Sequence, residues 1–298
     1  MLKEMAVADA YAIAWEFTDA QTAQNDLKAF YQHPTYLELK PGQYTDDTQR
    51  AIANIKVLNG PRDLKVLLNP LSYAESYVDT YKRDPREGYS RGFQALLNSV
   101  DNGLQLITTV DRKRPSNGAV MGVAPLGFIQ DIKELKLAAT AQAISTHNPV
   151  TAVHAQIVAL ATHFFVYKVD YKASLLEFVD AYADWSSQAD RVKWLGELTA
   201  FAMDGTRKTT IQASSISAYM VHVVNAANTL TDIIIDAVRR GGDTDSAAAT
   251  PVAIASLCPD IENDIPQHLY GALDTANPEY GIDFLDDLER DLREWYLP

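Results

Sequence analysis

From about residue 135 onward, small and apolar residues recur at intervals of three and four, the repeat that lays one face of an α-helix against a core. The stretches 135–144 and 150–161 carry it most clearly, and 174–185, 190–203, 214–228, 229–239, 246–257 and 283–296 repeat it. Strand signals are sparse, and the chain's 14 glycines gather at turns instead of separating short alternating runs. No Gly/Ser- or Pro-rich linker, internal repeat or low-complexity tract interrupts the pattern. It predicts an all-α fold: a single compact domain of many short helices spanning residues 1–298. Two helix starts are also written into the chain. Thr45, Asp46 and Asp47 precede the run Arg50 to Ile55, and Asp243, Thr244 and Asp245 precede Ser246 to Ala249.

Composition narrows the class. Of 298 residues, 47% are apolar, enough for a substantial core, and no run reaches the roughly 20 apolar residues of a membrane span. The N-terminus carries Lys3 and Glu4 where an export signal would be apolar, so a cytoplasmic protein is expected. The single cysteine, Cys258, rules out an intramolecular disulfide and reads as a buried thiol. A formal charge of −13 opposes non-specific binding to nucleic acid or to anionic membranes. A polyphosphate ligand must therefore be gripped locally, by backbone amides, cations or a few basic groups.

The two helix starts carry more acid than capping requires. One Ser, Thr or Asp side chain satisfies an N-cap, whereas adjacent carboxylates repel one another unless a cation neutralises them. Thr45, Asp46 and Asp47 on one side, with Asp243, Asp245 and Ser246 on the other, form an all-oxygen ligand set with no Cys or His at ligand spacing beside it. That donor set suits Mg²⁺ or Mn²⁺ and not structural zinc. The Gly241-Gly242 pair permits the unusual torsions such a turn needs. Between them, Ser116 to Gly127 is rich in glycine. It reads either as an ordinary loop or as a phosphate cradle in which Asn117-Gly118 and Gly122 let amides approach a diphosphate. Lys113 and Arg114 just upstream either add attraction or are simply solvated.

The run Lys40 to Gln49, with Gly241-Gly242-Asp243-Thr244-Asp245-Ser246, resembles the ADP-ribosylglycohydrolases. Three further elements follow the family's order: Ala8-Asp9-Ala10 through Glu16-Phe17 resembles its opening helix, Ser116 to Gly127 its Gly-rich loop, and Ser145-Thr146-His147-Asn148-Pro149 its Thr-His element. The resemblance implies an all-α domain with a metal site in a central cleft, held by two divalent cations, and a ligand that is ADP-ribose or an ADP-ribosylated protein. It implies hydrolysis of the bond between ADP-ribose and a modified side chain, most often arginine. Ser116, Asn117, Gly118, Met121 and Gly122 would then line the diphosphate, and His147 would contact the ligand. Glu16 would stand near the scissile ribose, and Glu16 or Asp47 would act as general base. For Glu16 the other reading is a surface acid at a helix end. Asp101-Asn102-Gly103 sits where the family has an Asp-x-Gly, although it also reads as a plain turn. Departures from the family are Ala8 and Ala12 in place of two glycines, no Arg after Met121-Gly122, and Pro251 in the helix after Asp245. A catalytically silent binder on the same fold and a two-metal phosphohydrolase acting on nucleotides remain as alternatives.

Overall fold

In a computed structural model of the protein, residues 1–18, 24–61, 63–168 and 171–297 are described. Helix α1, Leu2–Ala12, runs through the centre, buried on nearly every side. It packs along α13, Thr244–Ala255, all of whose residues are buried. Alanines make that close pairing possible: Ala6, Ala8, Ala10 and Ala12 on α1, and Ala247, Ala248, Ala249, Ala253 and Ala255 on α13, are all 0% exposed. Ala8 and Ala12 therefore fill the core. Pro251 lies inside α13, equally buried.

Helix α2, Asp46–Leu58, leans on both α1 and α13 and on α4, Pro70–Arg83. Short α3, Leu64–Leu67, links α2 to α4, and α5, Arg91–Ser99, and α6, Gly103–Thr109, follow. The second half stacks α7, Ile132–Thr146, on α8, Ala152–His163, with α9, Leu175–Tyr182, and α10, Gln188–Met203, outside them. Helices α11, Ala213–Ala226, and α12, Leu230–Arg240, flank α13; α14, Gln267–Ala272, and α15, Ile282–Tyr296, close the far side of α1. Among the described residues no strand forms, and the only ladder contacts are two isolated bridges, Ser116 with Gln212 and Thr229 with Glu262. The all-α expectation holds.

One expectation is corrected. The continuous helical stretch Pro149–Lys168 is long and apolar enough to cross a membrane by length and composition, but 72% of it is buried inside the protein. It is a core helix, with its apolar faces against α7, α9 and α11. Cys258 is buried as expected, and burial pushes its thiol up.

Candidate metal centre and ligand cleft

Helix α1 brings the separated acids together. Asp9, fully buried, accepts the backbone N–H of Thr45 (2.9 Å) and Thr48 (3.1 Å) and both of their hydroxyls (2.7 Å each). It thereby caps the first turn of α2 from a neighbouring helix, a favourable place for a carboxylate. At the other end of α1, the carbonyl of Ala12 accepts the Thr244 hydroxyl at 2.7 Å, fixing the start of α13. The chain then leaves through a short 3₁₀ turn, Ile13–Trp15, and places Glu16 directly after it. Thr45 and Asp243 occupy the N-cap positions of α2 and α13, yet neither side chain makes a cap hydrogen bond. Capping does not account for these residues.

Asp46, Asp47, Asp243 and Asp245 are all buried, and Glu16 is half-buried beside them. One oxygen each from Asp46, Asp47 and Asp245 lie within 4.8 Å of one another, and so do one each from Glu16, Asp243 and Asp245. Asp245 belongs to both groups. Asp47 Oδ2 accepts the Ser246 hydroxyl at 3.1 Å, and Asn117 donates to Asp243 (2.9 Å) and to Ser246 (2.7 Å). Asp47 Oδ1 and Asp245 Oδ1 are buried with no hydrogen-bond partner. Buried orphaned carboxylate oxygens are costly without a charge partner. An all-oxygen set of this kind fits a hard divalent cation.

Electrostatics agree. Burial pushes Asp46 up to about 8, with the charge of Asp9 adding to it. Burial and neighbouring acids likewise raise Asp47, Asp245 and Glu16 well above the carboxylate range, and burial raises Asp243 and Asp9 against the hydrogen bonds they accept. Each group holds its proton more tightly folded than unfolded, where an aspartate titrates near 3.9, so stability falls as pH rises through the folded value. Cation-free protein is therefore expected to lose thermal stability between about pH 4, where the unfolded aspartate titrates, and about pH 8, where buried Asp46 does. Added Mg²⁺ or Mn²⁺ should restore it. Scanning calorimetry on both sides of that window, with and without the ion, checks this; a midpoint that rises with pH in the cation-free protein would contradict it.

The carboxylates line one end of a cleft of about 620 Å³. Its other walls include Ser116, Asn117, Gly118, Met121, His147, Arg50 and Arg114. His147 pairs through Nδ1 with Thr146 Oγ1 at 2.8 Å, and that hydroxyl oxygen accepts from Arg50 at 3.0 Å. Burial and the Arg50 charge hold His147 well below its ordinary value. A Cβ at Gly118 would come 2.6 Å from His147 Nε2. Gly118 is thus the floor against which the His147 ring lies.

Two expected site residues are placed differently. Asp101 is exposed, paired with Lys82 at 3.5 Å, in a turn whose cap is Asn102; it lies outside the cleft, and its neighbour Gly103 is needed because α4 backbone lies where a Cβ would go. Gly122 is buried against α2, with Arg50 backbone 2.6 Å from its Cβ position and its carbonyl accepting from Asn54 at 2.7 Å. It serves helix packing and does not line the cleft. The Thr45 hydroxyl donates to Asp9, which orients its oxygen without removing the lone pairs a cation would use.

Other contributors carry weaker sequence signals. Gly88, at φ +107°, has its Cβ position on Asp46, so only glycine lets this loop pass over the cluster. Arg86 anchors the loop: it donates to Asp84 (2.5 Å) and Asp274 (2.6 Å) and lies 3.9 Å over the Tyr44 ring. Gly241 (φ 72°) and Gly242 (φ 89°) adopt the left-handed torsions expected of them.

The sequence model of the ADP-ribosylglycohydrolase family matches residues 5–296. The chain belongs to the ADP-ribosylglycohydrolase family. Its fold is similar to that of a solved ADP-ribosylglycohydrolase-related protein complex, with a TM-score of 0.71 at 20% identity over 99% of this chain and 96% of that one. A comparison with curated proteins finds no match. Within this glycohydrolase, Asp9 is the group that sequence reasoning passed over, although it stands inside the opening-helix motif. Asp9→Asn replaces one acceptor by a donor facing the Thr45 and Thr48 donors, and should cost about 2–3 kcal/mol. Thermal denaturation is expected to show a midpoint lower by roughly 5 °C; an unchanged midpoint would mean α2 does not depend on this cap.

Proposed function

We propose that the protein is a cation-dependent hydrolase that releases ADP-ribose from a modified protein side chain, arginine being the acceptor, and so reverses mono-ADP-ribosylation. The observation that carries this reading is the convergence of Glu16, Asp46, Asp47, Asp243 and Asp245 at a nucleotide-sized cleft whose other walls combine Arg50, Arg114 and Asn117 with Phe93, Met121 and Ile211. A diphosphate is repelled from the acidic end and suits the wall at Arg114 and Ser116 to Gly118, where the Asn117 amide is already held by the Ile211 carbonyl at 2.8 Å. The distal ribose then falls among the carboxylates.

Asp46, Asp47 and Asp245, with Asp243 beside them, would hold one or two divalent cations, Mg²⁺ or Mn²⁺. Bound there, the ions supply positive charge to the ribose hydroxyls and acidify water. The chain's own residues orient and move protons. Ser246 and Asn117 fix the aspartates, and Glu16, its carboxyl raised by burial, accepts a proton from the attacking water. The water oxygen bonds to the anomeric carbon as the carbon–nitrogen bond breaks. The leaving nitrogen keeps the bonding pair and takes up a proton, giving free arginine side chain and ADP-ribose.

The test is incubation with arginine- and serine-ADP-ribosylated proteins in Mg²⁺ or Mn²⁺, read by chromatography of the released nucleotide. Free ADP-ribose from the arginine-linked protein is the expected product. AMP would transfer the site to phosphohydrolase chemistry, and binding without release would make it a silent binder.

A further inference from the structure

A second cavity, of about 200 Å³, opens beside the first and shares Glu16, Phe17, Gly88, Tyr89, Ser90 and Arg91 with it. The shared wall is built with unusual care. Phe17 is an aromatic residue at φ 50°, in the left-handed region that bulky side chains avoid, and it is 55% exposed. Its N–H donates to the Gly242 carbonyl at 2.8 Å, the residue before Asp243, so the ring is held out at the junction by the metal-site turn itself. Strain held in place by its surroundings points to a role.

The opposite wall is equally fixed. His33 Nδ1 accepts the N–H of Thr35 (3.1 Å) and Tyr36 (2.9 Å), which leaves Nε2–H to donate to the Glu16 carbonyl at 2.9 Å. The Tyr36 ring stacks on that imidazole with centroids 4.6 Å apart. The rim carries Glu38 and Glu87, the latter accepting from the neighbouring Gln94 amide at 2.7 Å through Oε2. With Glu16 that makes three carboxylates against one cation, Arg91. An aromatic floor under an acidic rim is the surrounding that a flat, weakly hydrated cation prefers.

We infer that this smaller cavity is the acceptor pocket, and that Glu38 and Glu87, with the Phe17 and Tyr36 rings, select a guanidinium over a neutral acceptor. The inference rests on the proposed glycohydrolase reading: a ribose held at the carboxylates points its leaving group past Glu16 and Phe17, into this cavity. A carboxylate can take two parallel N–H···O bonds from a guanidinium, whereas a serine hydroxyl offers one donor and no charge.

Both glutamates are exposed, so Glu38→Gln with Glu87→Gln leaves the fold intact. Agmatine serves as the guanidinium probe, measured by calorimetry on wild type and on the double variant. Agmatine affinity is expected to fall roughly ten-fold in the variant, and the preference in kcat/KM for arginine-linked over serine-linked ADP-ribose to fall by about the same factor. Free ADP-ribose affinity should stay put, since that ligand ends at the anomeric carbon. Equal agmatine binding by both proteins, or an equal loss on both substrates, overturns the pocket. The two readings fail separately. Wild type that cleaves with a preference untouched in the variant keeps the hydrolase and loses the pocket; agmatine binding that depends on the glutamates, without ADP-ribose release from any conjugate, keeps the pocket and loses the hydrolase.

Discussion

Asp245→Asn is expected to abolish the stabilisation that Mg²⁺ or Mn²⁺ gives the protein and to lower turnover by roughly a thousand-fold, the rate equivalent of several kcal/mol of metal-derived stabilisation. Asp245 is the one carboxylate common to both ligand groups, and its Oδ1 is buried without a hydrogen-bond partner. Asparagine keeps the volume but offers no charge, so both groups weaken at once. The cation-free variant should melt at or above the wild-type temperature, because the charge of Asp245 faces Glu16, Asp47 and Asp243. Loss of function with unchanged or higher intrinsic stability is the signature of a site built at the expense of the fold. Calorimetric titration with Mn²⁺ decides it: binding as tight as wild type would remove Asp245 from the centre. A variant that melts below wild type without cation would show that the acid is structural.

Much of the fold was legible because the buried helices of the second half are made of alanine and branched aliphatics. The stretches 214–228 and 246–257 end within two residues of Ala213–Ala226 and Thr244–Ala255. Helix α4 carried no comparable signal, since its buried face is built from Tyr73, Tyr77 and Tyr81. Those rings are apolar bodies with polar tips, and each hydroxyl finds a partner, in Leu67 O, Asn54 and Asn98. The opening helix also starts earlier than its motif, at Leu2, and ends at Ala12, before Glu16.

In the site, the acids themselves were legible because repulsion between neighbouring carboxylates has to be explained by something. What holds them was not. Asp9 looks like any acid on a helix until α2 is docked against it, and Gly88 has no meaning until its loop crosses Asp46. Asp101 and Gly122 failed for the converse reason. Each matched a local pattern, a turn and a Gly-rich loop, whose direction is set by packing far away in sequence, Asp101 by the α4–α6 contact and Gly122 by α2.

Glu16→Gln separates two roles that the geometry alone leaves together, because Glu16 stands in a ligand-capable group with Asp243 and Asp245 and also beside the place of the scissile bond. Its backbone is pinned on both sides: the carbonyl accepts from His33 at 2.9 Å, and the next N–H donates to Gly242 at 2.8 Å. Exchanging the side chain therefore changes charge and leaves position alone. A proton acceptor contributes about 10²–10⁴-fold to rate. Turnover in Glu16→Gln is expected to fall by that factor while affinity for Mn²⁺ and for free ADP-ribose stays within several-fold of wild type. If cation affinity collapses in step with turnover, Glu16 is a ligand and Asp47 takes up the proton. Undiminished turnover would deny it either role and leave it as the wall between the two cavities.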